Sequence, residues 1–159
     1  MGVSGAGKST VGQALAARLG WAFRDGDSFH TAASVARMAS GHPLTDADRW
    51  PWLDTITAWM RGRWAESERV VVPCSALRRA YRDRLRRAGE GLLFVHLDAP
   101  AGLVAARMAV RPGHFMPPSL LDTQLATLEP PRPDETDALV VPAASGVDAI
   151  VGAVLARLA

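Results

Sequence analysis

Eight residues near the start of the chain form a glycine-rich loop that a helix is expected to follow directly. Residues 2–9 read Gly-Val-Ser-Gly-Ala-Gly-Lys-Ser and fit the pattern G-x-x-x-x-G-K-[ST] at every constrained position. In this pattern consecutive backbone N–H groups point at phosphate oxygens, the lysine reaches the β- and γ-phosphates, and the serine can bind Mg²⁺. The loop and first helical turn therefore predict a nucleotide site formed by Gly2, Val3, Ser4, Gly5, Ala6, Gly7, Lys8, Ser9 and Thr10.

Lys8 is the single lysine in the sequence, and the other 17 of the 18 basic residues are arginines. A compact ammonium suits a phosphate-binding loop that leaves no room for a guanidinium. The composition therefore favours a phosphate site over the alternative, which is an ordinary glycine-rich turn before a helix.

The segment ahead of the loop is short. A strand normally precedes this motif, but here only Met1 precedes Gly2. Either the sequence starts late or the fold has lost a central strand. We favour a late start, because an empty place in a parallel sheet would leave unpaired backbone groups in the core.

Composition limits the class of protein. With 159 residues, of which 48% are apolar, the chain predicts one compact domain, and the net charge of +2 does not indicate a nucleic-acid binder. One cysteine excludes an internal disulfide. No apolar run approaches the ~20 residues that cross a membrane, so we expect a soluble, cytoplasmic protein without membrane or nucleic-acid partners.

Apolar residues recur at helical and strand spacings in alternation along the chain, which predicts a three-layer α/β/α fold with a parallel sheet. Strands are predicted at residues 21–24, 70–72, 92–97 and 138–141. Helices are predicted at residues 8–19, 31–39, 77–88, 101–110, 118–128 and 147–158, with a long one after Thr45 that includes Trp64.

Two carboxylates follow the first strand candidate. Asp25 and Asp27 lie where open α/β sheets place ligands, and if the segment is extended both side chains lie on one face. The alternative is that they only cap a turn. The chain contains no asparagine for a guanine-binding signature, and the strand at residues 70–72 lacks the terminal aspartate of a Walker B motif.

Several blocks at compatible spacing resemble the gluconate kinases, relatives of the shikimate kinases. They span nearly the whole chain: residues 2–9, 25–30, 38–53, 74–83, 111–115 and 124–130. The stretch from Gly41 to Leu53, Gly-x-Pro-Leu-x-Asp-x-Asp-Arg-x-Pro-Trp-Leu, is distinctive of gluconate kinases and absent from shikimate kinases.

The resemblance implies transfer of the γ-phosphate of ATP to the terminal hydroxyl of D-gluconate. It assigns Asp27 as the base that binds the attacking hydroxyl, Asp25 and Ser9 to Mg²⁺, and Lys8 to catalysis. It also implies a single domain over residues 1–159, a substrate-binding helical segment at about residues 30–66 and a lid at about 107–128. Members of the family often form homodimers, and the resemblance carries this expectation over.

Arginines are candidates for gripping the substrate carboxylate and the transferring phosphate. Arg49 is the first choice for the carboxylate, followed by Arg82 and Arg78, although a row of arginines on one helix face can also be a solvated surface. By resemblance, Arg107 and Arg111 close over the phosphate with the lid, or instead simply occupy a helix C-terminus that favours cations.

Two histidines, His30 and His114, lie in matched blocks and could contact substrate hydroxyls or make structural hydrogen bonds. Thr31 and Ser34 depart from the family pattern, in which proline and asparagine are usual. The alternatives left open are a kinase for another hydroxy acid such as shikimate, and a nucleotide-binding regulatory protein that transfers no phosphate.

Overall fold

Helix α1 (Lys8–Leu19) begins directly after the glycine-rich loop, as predicted. Gly7 precedes it with φ 99°, and Gly20 ends it at φ 67° with its N–H donated to Ala16 O. Both angles lie in the left-handed region, where glycine has no Cβ to clash. The loop and the N-terminal end of α1 therefore form one rigid unit.

The structure is a computed structural model that describes residues 1–109 and 120–159. After α1 come β1 (Ala22–Phe23), a 3₁₀ turn (Gly26–Phe29), α2 (Ala32–Ala39) and α3 (Asp46–Ala65). The chain continues through β2 (Val70–Val71), α4 (Arg79–Arg86), β3 (Phe94–Asp98), α5 (Ala101–Ala109), α6 (Leu121–Thr127), β4 (Ala138–Pro142) and α7 (Val147–Leu158). The predicted alternation of strands and helices is confirmed.

The strands pair in parallel. β1 pairs with β2 in the register Ala22 to Val70, and β3 pairs with β4 from Phe94 opposite Ala138 to Asp98 opposite Pro142. Within the described residues β2 and β3 are not paired with each other. The carboxyl ends of the strands carry the loops that form the candidate site.

Met1 lies between these two pairs of strands. Its terminal amine donates to Val95 O, Leu97 N–H donates to Met1 O at 3.0 Å, and Gly2 N–H donates to Ser75 O at 3.1 Å. Next to Met1 is a cavity of about 160 Å³ whose mainly apolar lining includes Val71, Leu93 and Val95. A strand ahead of the loop would lie here, between β2 and β3.

Helix α3 brings two residues to the site. Thr45 and Asp48 form the predicted capping box at its start. Pro51 lies inside the helix near that start, where a missing N–H costs little. The buried face of α3, which includes Leu53 and Ile56, packs against α4 and thereby fixes the positions of Arg49 and Trp52.

No helix among the described residues is both long and apolar enough to cross a membrane.

Candidate active site

A cavity of about 730 Å³ opens beside the glycine-rich loop. Its size falls within the range of small-molecule sites. Its lining comes from the loop with the start of α1, from the 3₁₀ turn with α3, from α5 and α6, and from the segment after β4. The lining includes Lys8, Ser9, Thr10, Asp25, Asp27, His30, Arg49, Trp52, Arg107, Gln124, Ala143 and Ser145.

The loop packs closely against α5 and leaves no room for a side chain at Gly5. Gly5 has φ 79°, and a Cβ there would lie 2.9 Å from the Met108 side chain. Lys8 Nζ donates to Val3 O at 2.9 Å, across the loop. Backbone N–H groups and an ammonium around one concave loop suit the polyphosphate of a nucleotide.

Ser9 and Asp25, the two residues predicted to hold a metal, are in direct contact. Ser9 Oγ donates to Asp25 Oδ2 at 2.7 Å. The other carboxylate oxygen accepts from Asp27 N–H at 3.0 Å and caps the 3₁₀ turn. The expectation of an extended segment is therefore wrong, because the 3₁₀ turn begins directly after Asp25. Asp25 both caps this turn and accepts the hydrogen bond from Ser9.

The described residues contain no cluster of three or more His, Cys, Asp or Glu side chains that could hold a metal on its own. Mg²⁺ is commonly held by one or two protein oxygens together with phosphate oxygens and water. The adjacent oxygens of Ser9 and Asp25 at the phosphate loop fit that mode of binding.

His30 lies beside Asp27 and is stacked on Trp52. The ring centroids of His30 and Trp52 are 4.3 Å apart with planes inclined by 13°, and His30 Nε2 is 3.9 Å from Asp27 Oδ1. Burial, with the nearby charge of Arg49, lowers the pKa of His30 to about 4. At neutral pH the ring is uncharged, and its buried Nδ1 has no hydrogen-bond partner among the described residues.

Arg49 lines the cavity and is held from behind. Its Nη1 donates to the hydroxyl of Tyr81 at 3.2 Å. Arg78, the third arginine predicted to bind the carboxylate, bonds to Asp46 at 2.8 Å next to the same tyrosine ring. Arg78 does not line the cavity, so Arg49 is the better placed of the two.

The prediction of a substrate role for Arg82 is wrong. Its side chain is 0% exposed and forms two hydrogen bonds with Glu135, at 2.6 and 2.7 Å. It also donates to Glu129 O at 2.9 Å. Arg82 therefore joins α4 to the segment that leads into β4, and its charge is already neutralised.

Arg107 reaches over the loop from α5. Its guanidinium donates to Ala6 O at 3.1 Å and to Ala143 O at 2.9 Å, so it links the phosphate loop to the segment after β4. Its role in closing over phosphate stays a prediction. The other two lid candidates, Arg111 and His114, lie outside the described residues.

Sequence reasoning missed the roles of three residues. Gln124 Oε1 accepts from Ser4 N–H at 2.6 Å and so joins α6 to the loop. Tyr81 accepts a hydrogen bond from Arg49, and Asp46 accepts one from Arg78. All three lie within the blocks that carried the family resemblance, which was the available signal, but their contacts join residues far apart in the chain.

The chain is similar to several known proteins over most of its length. The sequence profile of a family described as "AAA domain" matches residues 1–131. The gluconokinase of Gluconobacter oxydans is 52% identical over 135 residues, which cover 85% of this chain and 76% of that protein. The crystal structure of a gluconokinase from Sinorhizobium meliloti superposes with a TM-score of 0.88 at 50% identity, covering 100% of this chain and 90% of that one.

The chain belongs to the gluconokinase family. An unliganded sugar kinase from Janibacter sp. is also similar, with a TM-score of 0.94 and 44% identity over 99% of this chain and 91% of that one. As a member of this family of P-loop kinases the protein binds ATP.

Thr31 and Ser34, two of the departures from the gluconokinase pattern, lie at the start of α2. Thr31 Oγ1 accepts from Ser34 N–H at 3.1 Å and so caps the helix. Neither residue lines the cavity. Helix capping suits threonine at position 31, and nothing in the structure explains serine at position 34.

Proposed function

We propose that this protein is a gluconokinase, which transfers the γ-phosphate of ATP to the terminal hydroxyl of D-gluconate and gives 6-phosphogluconate. One observation supports it most strongly: a single cavity brings the phosphate loop, the Ser9–Asp25 pair, Asp27 and Arg49 together. A kinase for a hydroxy acid needs a phosphate cradle, a base and a cation for the carboxylate.

Asp27 is the base in this proposal. It is 41% exposed toward the cavity, so its carboxylate can accept a proton from the substrate hydroxyl. The neutral ring of His30 beside it adds no positive charge that would weaken the carboxylate as a base. His30 also offers a nitrogen to a substrate hydroxyl.

Arg49 binds the substrate carboxylate. Its side chain is 19% exposed and faces the cavity, and a guanidinium can hold a carboxylate with two parallel hydrogen bonds. Gluconate has its carboxylate and its reacting hydroxyl at opposite ends, and in this proposal Arg49 binds the first and Asp27 the second.

Lys8 and the loop amides hold the β- and γ-phosphates in place, and Arg107, with Arg111 when the lid closes, adds positive charge at the transferring group. Mg²⁺ is placed at Ser9 and Asp25, where its charge neutralises the phosphate oxygens. We assign residues 30–66 to substrate binding and residues 107–128 to the lid. The cytoplasmic location and the homodimer stay predictions.

The test is ADP production from ATP and Mg²⁺ with gluconate, with shikimate, and without an acceptor. The proposal predicts that gluconate raises the rate well above the rate without acceptor, and that shikimate does not. Stimulation by shikimate alone would select the alternative acid, and no stimulation by either would favour the nucleotide-binding regulator.

A further inference from the structure

Tyr81 lies behind Arg49 and has no role in the chemistry described above. Its side chain is buried, with 1% of the residue exposed. Its hydroxyl donates to Asp46 Oδ1 at 2.5 Å and accepts from Arg49 Nη1 at 3.2 Å. The edge of its ring meets Trp50, with centroids 5.4 Å apart, so the ring cannot turn freely.

The carboxylate of Asp46 lies closer to Arg78 than to Arg49, although it forms an ion pair with both. Asp46 Oδ2 accepts from Arg78 Nη1 at 2.8 Å, whereas the distance from Asp46 Oδ1 to Arg49 Nη1 is 3.8 Å. Because attraction between charges falls with distance, Asp46 neutralises Arg78 more than Arg49. Arg49 thus keeps its closest contact in this cluster with a neutral hydroxyl.

We propose that Tyr81 is a positioning residue for Arg49, and that it fixes the guanidinium in the orientation that binds the substrate carboxylate without neutralising its charge. This inference rests on the proposed function, in which Arg49 binds that carboxylate. A carboxylate in the place of the hydroxyl would hold Arg49 equally well but would compete with the substrate.

The state of the Tyr81 hydroxyl agrees with this role. Burial, and then the hydrogen bond to Asp46, raise the pKa of Tyr81, so the group remains protonated. The hydroxyl uses its one O–H to donate a hydrogen bond to Asp46, and its oxygen lone pairs can therefore accept a hydrogen bond from Arg49. The direction of both hydrogen bonds is therefore fixed by Asp46.

The experiment compares Tyr81→Phe, Arg49→Met and the double variant with the wild type. We expect Tyr81→Phe to raise the KM for gluconate roughly tenfold, because a hydrogen bond to a charged group is lost. The kcat and the KM for ATP change little, because the reacting groups are untouched. In the Arg49→Met background the same substitution has no further effect, since Tyr81 acts through Arg49.

Glucitol and Thr57→Val serve as matched controls. Glucitol has the hydroxyls of gluconate without the carboxylate, so Tyr81→Phe leaves its kcat/KM unchanged. Thr57 is a buried hydroxyl on the α3 side of the same interface and bonds to Leu53 O at 2.7 Å. Thr57→Val lowers the melting temperature and leaves the KM for gluconate as it is.

Three results would overturn the role of Tyr81 while leaving the proposed function intact. They are an unchanged KM for gluconate in Tyr81→Phe, an equal rise in the KM for ATP, and additive effects of the Tyr81 and Arg49 substitutions. A wild-type enzyme that does not turn over gluconate would instead refute the proposed function, and this inference with it.

Discussion

At the scale of single residues, the chemistry of the site depends on which neighbour each ionisable side chain meets. Asp27 faces a neutral histidine, Asp25 faces a hydroxyl, and Arg49 faces a tyrosine. Arg49 also forms a longer ion pair with Asp46, at 3.8 Å. The three neighbours named first are an uncharged imidazole ring and two hydroxyl groups.

Replacement of the base tests the assignment of Asp27. Asp27→Asn is expected to lower kcat roughly a hundredfold or more, because proton transfer by a positioned group contributes that much. The affinity for ATP should be kept, and steady-state kinetics with nucleotide titration measures both. Asp54→Asn is the control, because Asp54 lies outside the cavity and pairs with Arg84. Activity near the wild-type level in Asp27→Asn would refute the role.

The pH dependence of stability tests the environment of His30. Its pKa is lowered to about 4 from an ordinary value of 6.5 by burial and by Arg49. The unfolded chain therefore binds a proton between these values while the folded chain does not, so the free energy of unfolding decreases as pH falls from about 6.5 to 4. His96, whose pKa burial also lowers, adds to the same slope.

His30→Gln should make the free energy of unfolding depend less steeply on pH between about 4 and 6.5, by the equivalent of about one bound proton. Urea denaturation at several pH values measures this dependence. His42→Gln provides the comparison, because His42 is exposed. Equal slopes in the wild type and His30→Gln would contradict the environment described here.

The residues that sequence reasoning placed correctly in the cavity are those whose partners are nearby in the chain. Lys8 and Ser9 belong to one local loop, so their positions follow from the motif. Arg49 and Arg82 were both candidates for the carboxylate, and nothing local separates them. Arg82 is neutralised by Glu135, which lies 53 residues away, and only the fold brings the two together.

At the scale of secondary structure, the helices with local start and stop signals were predicted closely. The bounds of α1 and α7 match because glycine caps and apolar spacing define them. The 3₁₀ turn at Gly26–Phe29 is capped locally by Asp25, as the alternative from the sequence allowed, but two long-range contacts that the sequence does not show also hold it. Asp25 bonds to Ser9, and Gly26 N–H donates to Pro73 O at 2.8 Å.

The arginines of α4 act as anchors between elements. Arg82 and Arg86 both bond to Glu135, and Arg86 also bonds to Asp137, the residue just before β4. This network sets where β4 starts, and so where the segment after it meets the cavity. The predicted row of arginines is therefore largely paired within the protein.

Glu135→Gln is expected to destabilise the fold by about 3–5 kcal/mol, because it leaves the charge of Arg82 buried without its partner. Urea unfolding measures the loss. The double variant Arg82→Met/Glu135→Leu should recover much of it, since a buried pair can be replaced by apolar groups at small cost. A single variant as stable as the wild type would show that the pair is not buried as described.

At the scale of the whole molecule, the two pairs of strands are separated by the cavity beside Met1. Sequence reasoning expected a strand in this region, because the phosphate-loop motif normally follows one. It did not identify β2 and β3 as the neighbours, since strand order depends on packing between distant segments. Burial lowers the pKa of the Met1 amine to about 5, so a charged terminus is disfavoured there.

Extension of the chain ahead of Met1 by about five valine and isoleucine residues should stabilise the fold. A parallel strand there would fill a mainly apolar cavity and form hydrogen bonds with both neighbours. The measurement is urea unfolding, and an extension of glycine and serine of equal length is the control. Equal stability of the two extended chains would contradict this description of the cavity.

In the proposed function, the γ-phosphate of ATP is transferred to the terminal hydroxyl of gluconate within one cavity. Phosphorus NMR of the protein with ATP, Mg²⁺ and gluconate tests it most directly. We expect a new phosphomonoester signal, identified as 6-phosphogluconate, that grows in step with ADP and is absent with a Lys8→Ala variant shown to be folded by circular dichroism. ATP that stays intact with the wild type, or a phosphomonoester signal of equal size with Lys8→Ala, would contradict it.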